Sequence, residues 1–70
     1  MSPASKIMLE GTVVETLPNG TCLVELSNGH RLIGWWPKRV VRVDLKPGDR
    51  VQVEVKFFDL SHGKLIRKVE

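Results

Sequence analysis

The chain has 70 residues, of which 41% are hydrophobic and 27% charged, and its formal net charge is +3. A chain of this length supports one small domain, which buries only about 60% of the surface that its unfolded form exposes. The single cysteine excludes an internal disulfide, and no apolar run is long enough to span a membrane.

Residues 1–6 (MSPASK) lack the apolar core of a signal peptide, so we expect a disordered leader followed by one domain at 7–70. The expected location is cytoplasmic and the expected state is a monomer. Residues 1–30 contain one basic and three acidic residues, whereas residues 31–70 contain ten basic and five acidic residues. A basic half on a small domain favours a polyanionic partner such as nucleic acid, although a solvated charged surface has the same composition.

A first strand is predicted at residues 6–17, where Gly11 indicates a bulge or a sharp bend. Two Asn-Gly pairs, at 19–20 and 28–29, predict tight type I′ hairpin turns, because each pair supplies two residues that tolerate positive φ. They bracket a second predicted strand at 21–27 and precede a third at 30–36.

The third strand ends before Pro37, which has no N–H to donate to a sheet. Residues 37–46 form a basic link whose helical or extended character the pattern leaves open. In the fourth strand, 50–57, alternation places Val51, Val53, Val55 and Phe57 inward. Residues 59–63 then predict a turn into a fifth strand at 64–69.

Five strands, a curved first strand and a long connection after the third predict an all-β, five-stranded OB-fold barrel. The alternative is an SH3-like barrel, which usually has its longer loop early in the chain. The tight early turns favour the OB fold.

Four blocks resemble bacterial and plastid translation initiation factor one, a single S1-type OB domain. They read GTVVETLPN (11–19), VELSNGH (24–30), PGDRVQVE (47–54) and FDLSHGKL (58–65). The resemblance covers about residues 7–67. It implies binding to RNA of the small ribosomal subunit near the decoding site, together with the other initiation factors, without catalysis or cofactor. Residues 35–45 diverge and are shortened, and Trp35 stands where the family has histidine.

Neighbouring residues on a strand face opposite ways, so Trp36 is predicted to face inward with Leu32 and Gly34. Trp35 then shares the outer face with Arg31 and could stack on a base. The alternative is that Trp35 covers the barrel end beneath the link.

The candidate RNA contacts are mostly basic residues, suited to phosphate, with one aromatic side chain that suits a base. They are Arg31, Trp35, Lys38, Arg39, Arg42, Lys46, His62, Lys64 and Arg67. His62, placed inside the last turn, is a possible phosphate neighbour.

No histidine or cysteine has the spacing of a metal site, Cys22 fits an inert core thiol, and no nucleophile, base and acid converge. We therefore expect a binding protein and no enzyme. Three functions stay open: an initiation factor, a general RNA-binding or RNA-chaperone domain that includes divergent or redesigned relatives without ribosomal activity, and a protein-interaction barrel.

Overall fold

The computed structural model describes residues 6–39 and 42–69. Its elements are β1 (Lys6–Thr16), a 3-10 turn (Pro18–Gly20), β2 (Cys22–Leu26), β3 (Arg31–Trp35), β4 (Arg50–Lys56) and β5 (Asp59–Val69). Residues 1–5 of the predicted leader lie outside the described residues, and Lys6 is already part of β1. No helix in the described ranges is long and apolar enough to cross a membrane.

The strands form a closed barrel in the order β1-β2-β3-β5-β4, so the predicted five-stranded OB barrel is confirmed. β3 and β5 pair in parallel, and the other neighbours are antiparallel. Closure leaves the sheet without a free edge, which suits a chain too small to build a large core.

The core consists of alternate strand residues whose side chains point into the barrel. Val51, Val53 and Val55 of β4 are fully buried, as their alternation with polar residues predicts. They pack with inward residues of the other strands, which are Val13, Cys22, Val24, Leu26, Leu32 and Leu65.

β1 pairs with two strands: its first part pairs with β4 and its second part with β2. Gly11 lies where the two pairings overlap, and a Cβ there would collide with the Val24 side chain. Glycine therefore allows the close approach of β1 and β2 at the bend. Of the two alternatives expected at Gly11, a bulge or a sharp bend, the bulge lies further along the strand, because the irregular pairing falls between Val13 and Glu15.

The two Asn-Gly turns differ in geometry. Asn19 and Gly20 both have positive φ, in a three-residue loop closed by the Leu17 N–H donating to the Thr21 carbonyl (2.9 Å).

The type I′ expectation is wrong for the second turn, since only Gly29 has positive φ there (87°). The Gly29 N–H donates to the Leu26 carbonyl at 2.9 Å, as in a three-residue hairpin loop that ends in a left-handed glycine. The Asn28 carboxamide instead accepts the His30 N–H at 3.0 Å, which fixes Asn28 without positive φ.

The end of β4 is also different from the prediction. Phe57 is 67% exposed and does not face inward, because Lys56 pairs with Asp59 and the chain turns at Phe57–Phe58. β5 thus begins at Asp59, five residues earlier than expected, and His62 lies in this strand instead of a turn. Pairing of β4 with β5 resumes at Val55 and Gly63, so residues 60–62 bulge out of the β4–β5 ladder, although His62 still pairs with Ile33 of β3.

The link after β3 contains no helix within its described parts, 37–39 and 42–46. It ends in a turn at Pro47–Gly48 that is fastened to β1. The Gly48 N–H donates to the Val13 carbonyl, and the Val13 N–H donates to the Asp49 carbonyl, both at 2.8 Å.

Candidate nucleic-acid interface

The adjacent tryptophans at the end of β3 point to different surroundings. Trp36 packs against the core and lines a cavity of about 240 Å³ beneath the link, with Leu45 on the link side. Trp35 is 40% exposed and lies on the outer face. Trp36 therefore packs on the core side, as predicted, but it is only partly buried and follows the end of β3 beneath the link.

Trp35 opens onto a surface groove of about 220 Å³ that crosses β1, β4, β5 and β3. We call it the Trp35 groove. Its wall residues are Lys6, Trp35, Glu54, Lys56, Asp59, His62 and Lys64. Parallel pairing of β3 with β5 sets Trp35 opposite Lys64, and antiparallel pairing of β1 with β4 sets Lys6 opposite Lys56. Barrel closure therefore gathers an indole ring and three lysines that are distant in sequence.

The groove is cationic but partly neutralised. The Glu54 carboxylate lies 3.6 Å from both the Lys6 and the Lys64 ammonium groups. Within residues 6–39 and 42–69, Lys56 takes part in no ion pair. Three lysines against two carboxylates leave an excess of positive charge that suits a phosphate-bearing ligand.

Asp59, Ser61 and His62 form a small hydrogen-bonded cluster at one wall of the groove. The Ser61 hydroxyl donates to Asp59 Oδ1 at 2.7 Å, and the Ser61 N–H donates to the same oxygen at 3.2 Å. The hydroxyl bond, the backbone bond and the nearby His62 ring lower the pKa of Asp59.

This cluster does not form a nucleophilic site. The serine lies between the acid and His62 Nδ1, 3.1 Å from its hydroxyl, whereas a triad needs the histidine between serine and acid. The bonds instead fix the bulge of β5. His30 also fastens the bulge, since its ring Nε2 lies 2.6 Å from the Leu60 carbonyl, which accepts the hydrogen bond.

In the described ranges, neither the Cys22 thiol nor any group of acidic residues forms a reactive or metal-binding site. Cys22 is buried in the core, and burial raises its pKa, which keeps the thiol protonated and unreactive. Within residues 6–39 and 42–69, no three histidine, cysteine or acidic side chains are arranged to hold a metal ion.

The basic side chains of the link form a second group, separate from the Trp35 groove. Lys38 and Arg39 follow β3 in an exposed turn, and Arg42 and Lys46 are exposed further along. Arg42 reaches back so that its guanidinium lies against Gly20 of the β1–β2 turn. None of these four basic side chains is in an ion pair with a residue of the described ranges.

Two expected contacts lie outside both groups. The Arg31 guanidinium pairs with the Glu25 carboxylate at 3.3 Å, across β2 and β3. Arg67 donates to the Gln52 side-chain oxygen at 3.2 Å, on the outer face of β4 and β5. The structure thus brings together Trp35, His62 and Lys64, and it holds these two arginines elsewhere.

Sequence reasoning missed Lys6 and Lys56 of the groove, as well as the exposed Phe57 and Phe58 beside it. The two lysines become neighbours only through the β1–β4 register. The phenylalanine pair gave no turn signal, because the alternation of β4 continues through Phe57 in the sequence.

No protein-family model matches the chain. Among solved structures, the chain is similar to the solution structure of translation initiation factor one from the Wolbachia endosymbiont strain TRS of Brugia malayi. The sequences are 31% identical, and the TM-score is 0.74. The match covers 96% of this chain and 82% of the other.

Proposed function

Because the chain belongs to the family of translation initiation factor one, we propose that it is an initiation factor that binds RNA of the small ribosomal subunit near the decoding site. It acts by binding, without catalysis or cofactor, in the presence of the other initiation factors.

The observation that carries this proposal is the exposure of the described basic residues of the link. Lys38, Arg39 and Arg42 present positive charge to solvent with no ion pair to the described residues, so a phosphate does not have to displace an internal partner. Phosphate contacts of this kind position a protein on RNA and supply salt-dependent affinity. The shape of the folded RNA then provides the selectivity.

Co-sedimentation with purified small subunits at low and moderate salt tests the proposal. We expect binding at low salt that weakens as salt rises, and weaker binding to large subunits and to unrelated structured RNA under the same conditions. Equal affinity for every RNA would favour the general RNA-binding alternative. Absence of binding to the small subunit at low salt would contradict the proposal, and absence of binding to every RNA tested would favour the protein-interaction barrel.

A further inference from the structure

The tip of the β4–β5 hairpin exposes three large apolar side chains within four residues. Phe57 is 67% exposed, Phe58 77% and Leu60 47%. Single exposed apolar residues are ordinary, whereas a contiguous group on a small domain marks an interaction surface.

This tip is continuous with the Trp35 groove. Lys56 and Asp59, which directly flank the two phenylalanines, both line the groove, and Trp35 lines it on β3. Trp35 in the groove and Phe57 and Phe58 at the adjoining tip are exposed rings, and we call these three rings the aromatic track. The bulge of β5 next to the tip is fixed by the bond between His30 and the Leu60 carbonyl.

The charges beside the track are suited to phosphate. Lys6 and Lys64 share a single carboxylate, that of Glu54, at 3.6 Å each. Asp59 accepts two hydrogen bonds from Ser61, so that carboxylate is already engaged. A partner that covers the tip has to compensate the charge of Lys56, which has no acidic partner in the described ranges, and a phosphate supplies that charge.

We propose that the aromatic track and its lysines bind a short unpaired stretch of RNA, as a second contact surface separate from the link. Bases stack on Trp35, Phe57 and Phe58, and Lys6, Lys56 and Lys64 contact the phosphates between them. Aromatic rings beside a cationic groove are the usual means of binding single strands with little sequence preference. The inference rests on the proposed function only in taking RNA as the ligand.

Fluorescence anisotropy with a labelled short oligouridylate, and with an RNA duplex of the same length, tests the proposal on the full chain. We expect the single strand to bind more tightly than the duplex. The variant with both Phe57→Ala and Phe58→Ala loses about fivefold or more in affinity for the single strand, since a stacked base contributes at least about that factor.

Two further variants separate stacking from apolar contact. Leu60→Ala removes exposed apolar area from the same tip without removing a ring, and we expect it to bind the single strand as the parent does. Phe57→Leu with Phe58→Leu keeps the apolar bulk and removes the rings, and we expect it to bind as weakly as the double alanine variant. Full affinity in the double leucine variant would overturn the stacking proposal. Melting curves of all three variants should match the parent, because the replaced side chains are exposed.

Small-subunit binding, measured on the same samples, separates this inference from the proposed function. A parent protein that binds the subunit but not the oligouridylate overturns the inference and leaves the proposed function standing. A parent that binds the oligouridylate but not the subunit, and loses that binding in the double alanine variant, supports the inference and contradicts the proposed function.

Discussion

Trp35 and Trp36 are neighbours in sequence but differ in what they stabilise. Trp36 packs against the core, so Trp36→Ala should lower the free energy of unfolding by about 3 kcal/mol, the lower end of the range for buried aromatic residues. Trp35 is 40% exposed, and Trp35→Ala should cost less than about 1 kcal/mol. Urea denaturation of the two single variants measures both values. Similar losses in both variants would contradict the assignment of opposite faces.

The Asp59 carboxyl has a lowered pKa, chiefly because it accepts the Ser61 hydroxyl bond. Ser61→Ala should therefore raise the pKa of Asp59 towards the ordinary value of 3.8. NMR titration of the Asp59 carboxyl carbon measures the change, and Ser27→Ala, at an exposed serine of the β2–β3 turn, is the control.

The same bond has a consequence for acid stability. A carboxyl whose folded pKa lies below its unfolded value contributes stability above the unfolded pKa, and that contribution disappears as pH falls through the folded pKa. The parent should thus lose more stability than Ser61→Ala as pH falls below about 4, the ordinary range of an aspartate. Parallel loss in the two proteins would show that the bond does not form in solution.

At the scale of the elements, the β3–β5 pairing that closes the barrel depends on two glycines. Gly34 and Gly63 are partners in this parallel ladder, and both are buried. A Cβ on Gly34 would lie 2.9 Å from the Leu65 side chain, whereas one on Gly63 would lie 3.1 Å from its nearest neighbour, Leu32.

We expect Gly34→Ala to lower the free energy of unfolding by about 1–3 kcal/mol, since an added methyl group overpacks the barrel. Gly63→Ala should cost less, because its neighbours need to move by only a few tenths of an ångström. Thermal and urea denaturation measure both variants beside Thr12→Ala, an exposed control in β1 that changes no core volume. A larger loss of unfolding free energy in Gly63→Ala than in Gly34→Ala would contradict this prediction.

The link should affect binding far more than stability. Replacing Lys38, Arg39 and Arg42 together with glutamine should weaken co-sedimentation with the small subunit and change the free energy of unfolding by less than about 0.5 kcal/mol per site, as is usual for exposed residues. Replacing Arg31 with glutamine is a matched control, because its charge is already paired with Glu25. A large fall in melting temperature with binding intact would show that these three basic residues stabilise the barrel and do not contact RNA.

For the whole molecule, salt should separate folding from binding. In the ion pairs within the described ranges every basic side chain is at least one-third exposed, whereas the Glu54 and Asp49 side chains are largely covered. Ion pairs at the surface contribute at most about 1 kcal/mol each. Stability should consequently change little with salt. Binding of a single strand that neutralises three phosphates should follow a slope of about −2 in log affinity against log salt. Anisotropy titrations and denaturation curves over one salt series measure both quantities, and a binding slope near zero would exclude phosphate contacts.

The sequence alone determined the features that depend on local conformation. Period-two alternation identified the inward valines of β4, because side chains along a strand face opposite sides by geometry alone. Both Asn-Gly pairs marked hairpins, and the parity of β3 assigned Trp36 to the inside. The four family-like blocks lie on these strands and turns, so the fold and the family were both accessible from the sequence.

Only the tertiary structure decided where pairing stops and which distant residues meet. Alternation continues through Phe57 in the sequence, but the register of β4 with β5 ends β4 at Lys56 and exposes both phenylalanines. The Trp35 groove likewise exists because closure sets β3 beside β5 and β1 beside β4. Registers between strands distant in sequence are fixed by the packing of the whole barrel, and no local pattern contains that information.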